Sequence, residues 1–444
     1  MKTGWTSALL VAVLVGACQQ ASDDHINLVA VLPLSGSFAS RGEIHKAAIQ
    51  MALEDIRQER PGGILGRGFR VHLADASDGE DLAAERVRAI VDNKGSANIA
   101  GIISSTGAAQ AGSLPIALEY GIPHFEISAG DAWDELIATD DPLHANIGFA
   151  LSTRATCYNL AVMAAEFIAQ NETAWPRVAL VRGNKAHDKM HIRTIRSTLT
   201  AMQQTGTYHG TIVNDEAHEE IPYGDSYEAS IAGLATTYDP PPDVIFWHLR
   251  GDDHNTRFMQ DAKRVSQNQS YSPELVTCGM SRTNYLLDAT ATGPSVVDYL
   301  GGRFWFAMRG PMTDGERLSN FTQAFTAFHG EAPDTWAASA YDAAMLLALG
   351  IAQADSTEGA TVRDAIVAIS HTGTQVSYGE TRRALALIGQ GVDIDYDGAS
   401  GTLDIDTASG RVPGRYYVEA MDFTPGSASG AYRVLETPAP QVLF

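Results

Sequence analysis

Basic side chains are scarce: 31 Lys and Arg stand against 53 Asp and Glu, a formal net charge of −22 over 444 residues. Phosphate backbones and anionic bilayer surfaces repel such a chain, which argues against nucleic acid or a charged membrane face as partner. Cysteine is scarcer still, at three residues, too few for a disulfide-built scaffold. Long apolar runs are missing after the N-terminus. The nearest, Ala337 to Ala354, is rich in alanine and interrupted by Asp342, so it reads as a buried helix. Catalytic signatures are missing too. There is no Gly-x-Ser-x-Gly elbow, no His-Glu-x-x-His, no Walker A loop and no Gly-x-Gly-x-x-Gly after a strand. Without a nucleophile–base pair or a metal constellation an enzyme is the weaker reading, and nothing calls for a cofactor.

What is present begins with Lys2 and the apolar stretch Ala8 to Val15, too short to span a bilayer but of signal-peptide length. The run Val15-Gly16-Ala17-Cys18 resembles the lipobox of bacterial lipoproteins, in which the cysteine is acylated and becomes the new N-terminus. Residues 1–17 are therefore expected to be a signal peptide and 18–25 a tether lipidated at Cys18, giving an exported, membrane-anchored protein, periplasmic or at the cell surface. An ordinary signal peptide with a chance cysteine is the alternative. Gln19 is not the aspartate that often marks inner-membrane retention in lipoproteins of two-membraned bacteria.

From Ile26 onward strands and helices alternate. Ile26 to Leu32 is nearly all apolar, as a strand buried on both faces requires, and Ile44, Ala47, Ala48, Met51, Ala52 and Ile56 recur at helical spacing. Strands follow at 69–74, 99–103 and 122–127, and the pattern restarts after Gly148 with strands at 178–181, 210–213, 244–249, 275–278 and 304–308. The expectation is α/β, with two doubly wound parallel-sheet lobes.

Five segments, in order, resemble the branched-chain amino-acid type of ABC-transporter solute-binding protein, with its type I periplasmic-binding fold. They are Val31-Leu32-Pro33-Leu34-Ser35-Gly36 with Gly42, Gly62 to Arg67, Gly101 to Thr106, Gly121-Ile122-Pro123 with Ser128-Ala129, and Asp397 to Gly401. The resemblance implies three crossovers between lobes. The first lobe would take 26–149 and 309–412, the second 150–308 and 413–444, with the ligand in the cleft between them. It also implies a small-molecule ligand and an ABC permease as partners.

Ser104-Ser105-Thr106-Gly107 closes a strand and opens a helix, so hydroxyls and free backbone N–H groups converge where a carboxylate would sit. Simple helix capping is the alternative. In the family this loop and the one matching Ser128-Ala129-Gly130 hold the ligand carboxylate, a role that carries to Ser105, Thr106, Ala129 and Gly130, with Ser104 and Ser128 beside them. Three positions depart from the pattern. Arg41 stands where an aromatic is usual, Arg250 where the second lobe offers another, and Ser281, beside Arg282, where an acid holds the ligand ammonium. A buried ammonium wants a carboxylate partner, so these changes favour a ligand with more negative charge or no amine over an aliphatic amino acid. Solvated or ion-paired arginines are the alternative.

Trp247 is a candidate for stacking on ligand, with core packing the competing role. His248 reads as a structural histidine, and Asp131 and Trp133 as residues of the cleft rim. Cys157 and Cys278 could pair as a disulfide or stay free and buried. No histidine stands at ligand spacing from either, so no metal site is expected, and Asp252-Asp253-His254 and His218-Glu219-Glu220 fit no tight ligand set. The function expected is capture of a small polar, carboxylate-bearing solute (an amino acid or a related acid or amide) and its delivery to an ABC permease. A ligand-sensing lipoprotein of the same fold signalling to a membrane partner is the second reading.

Overall fold

The computed structural model describes residues 24–77, 79–128, 133–154, 157–249, 252–278, 299–309, 315–406, 410–412, 416–422 and 431–434. The first sheet contains β1 (His25–Leu32), β2 (Gly68–Asp75), β3 (Ile99–Ser104), β4 (His124–Glu126) and β5 (Ala150–Ser152). Its order is β2-β1-β3-β4-β5, every pair parallel. Strand β1 is buried from Ile26 to Leu32, which accounts for its nearly continuous apolar run. The one polar residue in it, Asn27, has its amide donating to the Asn98 carbonyl at 3.2 Å and its side-chain oxygen 2.8 Å from His72 Nε2. Strand β5 pairs with β4, so the first lobe extends to Ser152, past the expected limit at 149.

Helices α1 (Ala39–Glu59), α2 (Glu80–Lys94) and α3 (Gly107–Tyr120) link these strands, and the single turn α4 (Trp133–Leu136) follows β4. A Cβ on Gly42 would overlap the Pro33 carbonyl, so α1 lies against the β1–α1 loop only because that residue is glycine.

The chain then builds a second lobe from α5 (Cys157–Gln170), β6 (Arg177–Arg182), α6 (Ala186–Thr205), β7 (Thr211–Ile212), α7 (Glu228–Thr237), β8 (Val244–His248), α8 (Asp252–Gln269), β9 (Glu274–Cys278) and β10 (Phe304–Arg309). It returns to the first lobe with α9 (Gly315–His329), α10 (Ala337–Ala354), α11 (Gly359–Ala368), β11 (Thr374–Ser377), α12 (Thr381–Gly389) and β12 (Ile394–Asp397), then crosses a third time to β13 (Tyr416–Asp422) and β14 (Ala431–Val434). The second sheet runs β14-β13-β10-β9-β8-β6-β7. Its five strands β6 to β10 are parallel, as a parallel-sheet lobe requires, and β13 and β14 are antiparallel additions at one edge. The connection 423–430 is too short for the helical crossover that a parallel pair needs.

Helix α10 is buried from Ala337 to Ile351 and sits in the first-lobe core with β1, α1 and α9. It passes the length and hydropathy criteria of a membrane span, yet its apolar surface is spent on this core. Each buried Leu there contributes about 1.5–3 kcal/mol. Its one charged residue, Asp342, accepts from Ala399 N (2.9 Å), Ser400 N (2.7 Å), Ser400 Oγ (2.5 Å) and Tyr396 Oη (3.3 Å). The late segment Asp397 to Gly401 is thus a turn clamped onto α10, and a Cβ on Gly398 would overlap the Asp342 carboxylate. Ser400 Oγ also lies 3.1 Å from the Thr153 carbonyl and Thr153 Oγ1 donates to Ser339 O at 2.9 Å, so the same turn anchors the first crossover.

Candidate functional site

The carboxyl end of the first sheet gathers three hydroxyls, and each has a different use. Ser104 Oγ turns inward and donates to Glu126 Oε2 at 2.6 Å, while Glu126 Oε1 accepts from Ser128 N at 2.7 Å. Thr106 is the N-cap of α3 and accepts from Ala109 N at 3.1 Å. Ser105 is fully buried, and its Oγ has no hydrogen-bond partner among the described residues. Its backbone is held on both sides, with Ser105 N donating to Val31 O at 3.2 Å and Ser128 Oγ donating to Ser105 O. The amide groups of the first turn of α3 have no partner within the helix, and Ser105 lies just before them.

A line of contacts leads outward from this point. Arg154, two residues beyond β5, donates to the Ser128 carbonyl, and its guanidinium lies 5.7 Å from the ring centre of Trp336. Arg41 approaches the same ring at 4.2 Å and lies 5.3 Å from the ring of Phe38. Asp334 fixes the arrangement. Its Oδ1 accepts from Trp336 N and Ala337 N, each at 2.9 Å, which caps α10 and sets the indole's origin. Its Oδ2 faces His45 Nε2 at 3.1 Å and Arg41 Nε at 3.8 Å. Burial pushes the Asp334 carboxyl up, but the His45 hydrogen bond and charge, the Trp336 amide and Arg41 together hold it below the usual range. The indole Nε1 of Trp336 is itself buried with no acceptor among the described residues.

The β1–α1 loop that carries Phe38 is held by Asp75. Its carboxylate accepts from Leu34 N at 2.9 Å, Ser35 Oγ at 2.8 Å, and Ser77 N at 3.0 Å and Oγ at 2.6 Å. Partial burial raises its pKa, but these hydrogen bonds outweigh it and bring the carboxyl down to about 2.

Among the sequence candidates, the fold joins Ser105, Thr106, Ser128 and Arg41 into this one line, with Ser104 serving beneath it. Ala129, Gly130, Asp131, Arg250, Ser281, Arg282 and the lipidation candidate Cys18 lie outside the described residues. Trp247 belongs to the core: it is fully buried, its Nε1 donates to Asn255 Oδ1 at 3.0 Å, and it stacks on Phe258 with centroids 5.1 Å apart. That corrects its assignment to the ligand site. The apolar cluster between β8 and α8 takes its whole surface. His248 is hydrogen-bonded to Asp188 at 3.0 Å, and Trp133 is buried beneath the Arg411 guanidinium.

Cys157 and Cys278 are both buried and neither is in a disulfide, the second of the two outcomes the sequence left open. Burial, and then Cys157 beside it, pushes the Cys278 thiol well above the usual range, so it holds no thiolate with which to start an exchange. No histidine stands at ligand spacing from either cysteine in the sequence, yet His187 and His191 come to Cys157 in space. The two imagined metal runs are used elsewhere. His218 pairs with Asp215 at 2.5 Å, Glu219 with Arg182 and Arg196, Glu220 with Arg182, and His254 with the Tyr227 hydroxyl at 2.7 Å.

Arg154 and Trp336 escaped the sequence reading. Arg154 follows the end of a parallel strand, and testing every strand end for polar residues would have found it. Trp336 enters from a helix start far along the chain, with no local signal.

The description of the periplasmic binding protein family matches residues 25–418. No curated protein matches the chain. Among solved structures, a leucine-binding protein of Thermotoga maritima is 16% identical with a TM-score of 0.60, covering 92% of this chain and 97% of its own. The isoleucine-bound branched-chain amino acid binding protein of Streptococcus pneumoniae is 17% identical with a TM-score of 0.57, covering 93% and 99%. A solute-binding protein of an ABC transporter from Rhodopseudomonas palustris, in complex with p-hydroxybenzoic acid, is 15% identical with a TM-score of 0.63, covering 94% and 98%. Such identities speak for the fold alone. With the family match spanning both parallel-sheet lobes and their three crossovers, the chain belongs to the periplasmic binding protein family, with its type I fold.

Proposed function

We propose that the protein is an extracytoplasmic solute-binding lipoprotein that captures a small carboxylate-bearing ligand in the inter-lobe cleft and delivers it to an ABC permease. The observation that carries this reading is the buried hydroxyl of Ser105, just before α3, which has no partner among the described residues and lies one contact from Ser128 and two from Arg154. A ligand carboxylate there accepts from Ser105 Oγ and the first-turn amides of α3. The Trp336 indole, braced by Arg41 and Arg154, offers a flat face to the rest of the ligand. Two guanidiniums on this wall favour an acid without an ammonium group, and Ser281 in place of the family's acid points the same way. Neighbours of the same fold hold isoleucine in one case and p-hydroxybenzoic acid in another, so the fold accepts both kinds.

A thermal-shift panel of benzoates, dicarboxylates, amides, leucine and valine, followed by calorimetry of the hits, tests the ligand class. A ligand at a hundred times its dissociation constant adds about 2.7 kcal/mol of stability. Benzoates or dicarboxylates should bind more tightly than leucine and valine. Tight leucine binding with no response to any acid lacking an amine would overturn the assignment.

A further inference from the structure

We infer that the second lobe carries a binding site for a thiophilic divalent cation, zinc above all, formed by Cys157, His187 and His191. The three side chains come from two helix starts. Cys157 opens α5 directly after the first crossover, and His187 and His191 lie one turn apart at the start of α6. Their ligand atoms all lie within 4.8 Å of one another. Zinc bonds to sulfur at about 2.3 Å and to nitrogen at about 2.0–2.1 Å, so a cation placed among them is reached by small side-chain adjustments.

The second observation is the state of His191. It is fully buried, and its Nδ1 lies 2.8 Å from the His187 carbonyl. A carbonyl only accepts, so Nδ1 carries the proton and Nε2 keeps its lone pair. That Nε2 is buried with no hydrogen-bond partner among the described residues. A backbone acceptor on one ring nitrogen and a lone pair on the other is the arrangement that orients a histidine toward a metal.

The surroundings hold the ring in place. His248 stacks on His191 with centroids 3.9 Å apart and planes 8° from parallel. His248 Nδ1 is in turn 3.0 Å from Asp188 Oδ1, while Asp188 Oδ2 accepts from Tyr223 Oη at 2.5 Å and from Lys185 N at 3.1 Å. One thiolate and two imidazoles leave a fourth position on a tetrahedral ion and suit zinc better than calcium or magnesium, which take oxygen ligands. The site lies close to the contact between lobes, since Arg193, two residues beyond His191, pairs with Glu135 of α4 at 2.8 Å. A bound ion would tie the start of α5, and so the first crossover, to the helix that meets the other lobe.

The test uses the full chain carrying Cys18→Ser, stripped with chelator under reducing conditions and titrated with Co2+ and then Zn2+. One equivalent of Co2+ should give visible bands with a sulfur-to-cobalt charge-transfer component, and Zn2+ should displace it and raise Tm. Cys157→Ser should remove the charge-transfer component, and His191→Ala should weaken Zn2+ binding by roughly 10- to 100-fold. Circular dichroism of each variant separates misfolding from ligand loss, and the unsubstituted site gives an answer that no variant can obscure. Failure of that site to take up a full equivalent overturns the proposal. So does a charge-transfer band that survives Cys157→Ser, or one that depends on Cys278 instead.

Discussion

Arg41 and Trp336, from helices nearly three hundred residues apart in the chain, meet with the guanidinium 4.2 Å from the indole centre. The ring arrives from the start of α10 and the cation from the first turn of α1. Cation–π contacts of this kind are worth about 0.5–2 kcal/mol. Here the contact also fixes a cationic wall beside the Ser105 loop.

Arg154→Ala should weaken binding of the best carboxylate from the panel more than Arg41→Ala does. Hydrogen bonds to charged groups contribute about 1.5–3 kcal/mol, or roughly 10- to 150-fold in Kd. Arg154 touches the Ser128 carbonyl directly, whereas Arg41 stands beyond the Trp336 ring, so the loss of Arg41 should cost less. Calorimetry on both variants reads the difference, and equal affinity to the parent in both would remove the arginines from the site.

Ser105→Ala should separate stability from binding. The hydroxyl is buried with no partner among the described residues, so replacing it with hydrogen removes a desolvation cost, and the ligand-free protein should gain about 1 kcal/mol. Ligand affinity should fall by roughly tenfold or more for the lost hydrogen bond. Urea unfolding and calorimetry measure the two effects. A variant that is less stable and binds normally would contradict the role given to Ser105.

Asp342 predicts a pH dependence. Burial pushes its carboxyl up to about 6, against the hydrogen bonds from Ser400, Ala399 and Tyr396. The folded state therefore holds the proton more tightly than the unfolded chain, whose carboxyl titrates near its ordinary value of 3.8. Its contribution is full below that value and is lost as pH rises through about 6, a change of about 3 kcal/mol. Urea unfolding at pH 4 and pH 7 should show the parent losing stability relative to Asp342→Asn across that interval. A constant difference would show that Asp342 titrates normally.

Gly398→Ala should destabilise the first lobe by about 1–3 kcal/mol, because the new methyl displaces the Asp342 carboxylate from the turn it clamps. Thermal unfolding is the measurement. The ligand-site variants, which leave this turn intact, supply the comparison.

Much of the fold was legible because burial on both faces writes itself into a strand. The apolar run Ile26 to Leu32 and the repeat from Ile44 to Ile56 need no partner to be recognised. The candidate site was legible only where strand ends supply its polar groups, as at Ser105 and Ser128. Trp336, and the meeting of Cys157 with His187 and His191, are products of tertiary packing. The i,i+4 spacing of His187 and His191 is local but was not singled out, since their cysteine lies on another helix. The antiparallel strands β13 and β14 were missed because the sequence after Val412 shows no helical spacing of apolar residues with which to continue the alternation.

The hydroxyl of Tyr341 donates to Asp55 across a separation of 286 residues, at 2.6 Å. That single contact orders events in time. The first lobe, although it starts at His25, is completed by α10 and by the turn that closes on Asp342. A nascent chain that has only reached β10 holds β1 to β5 without the helix that covers one face of their sheet. The second lobe, built mainly from one continuous stretch, can mature first, and the first lobe waits for nearly the whole polypeptide. High sequence separation of this kind slows folding. The lobe that begins the molecule is therefore expected to be late to finish, leaving a long interval in which the chain is still extended enough to be threaded, bound by a chaperone or cut.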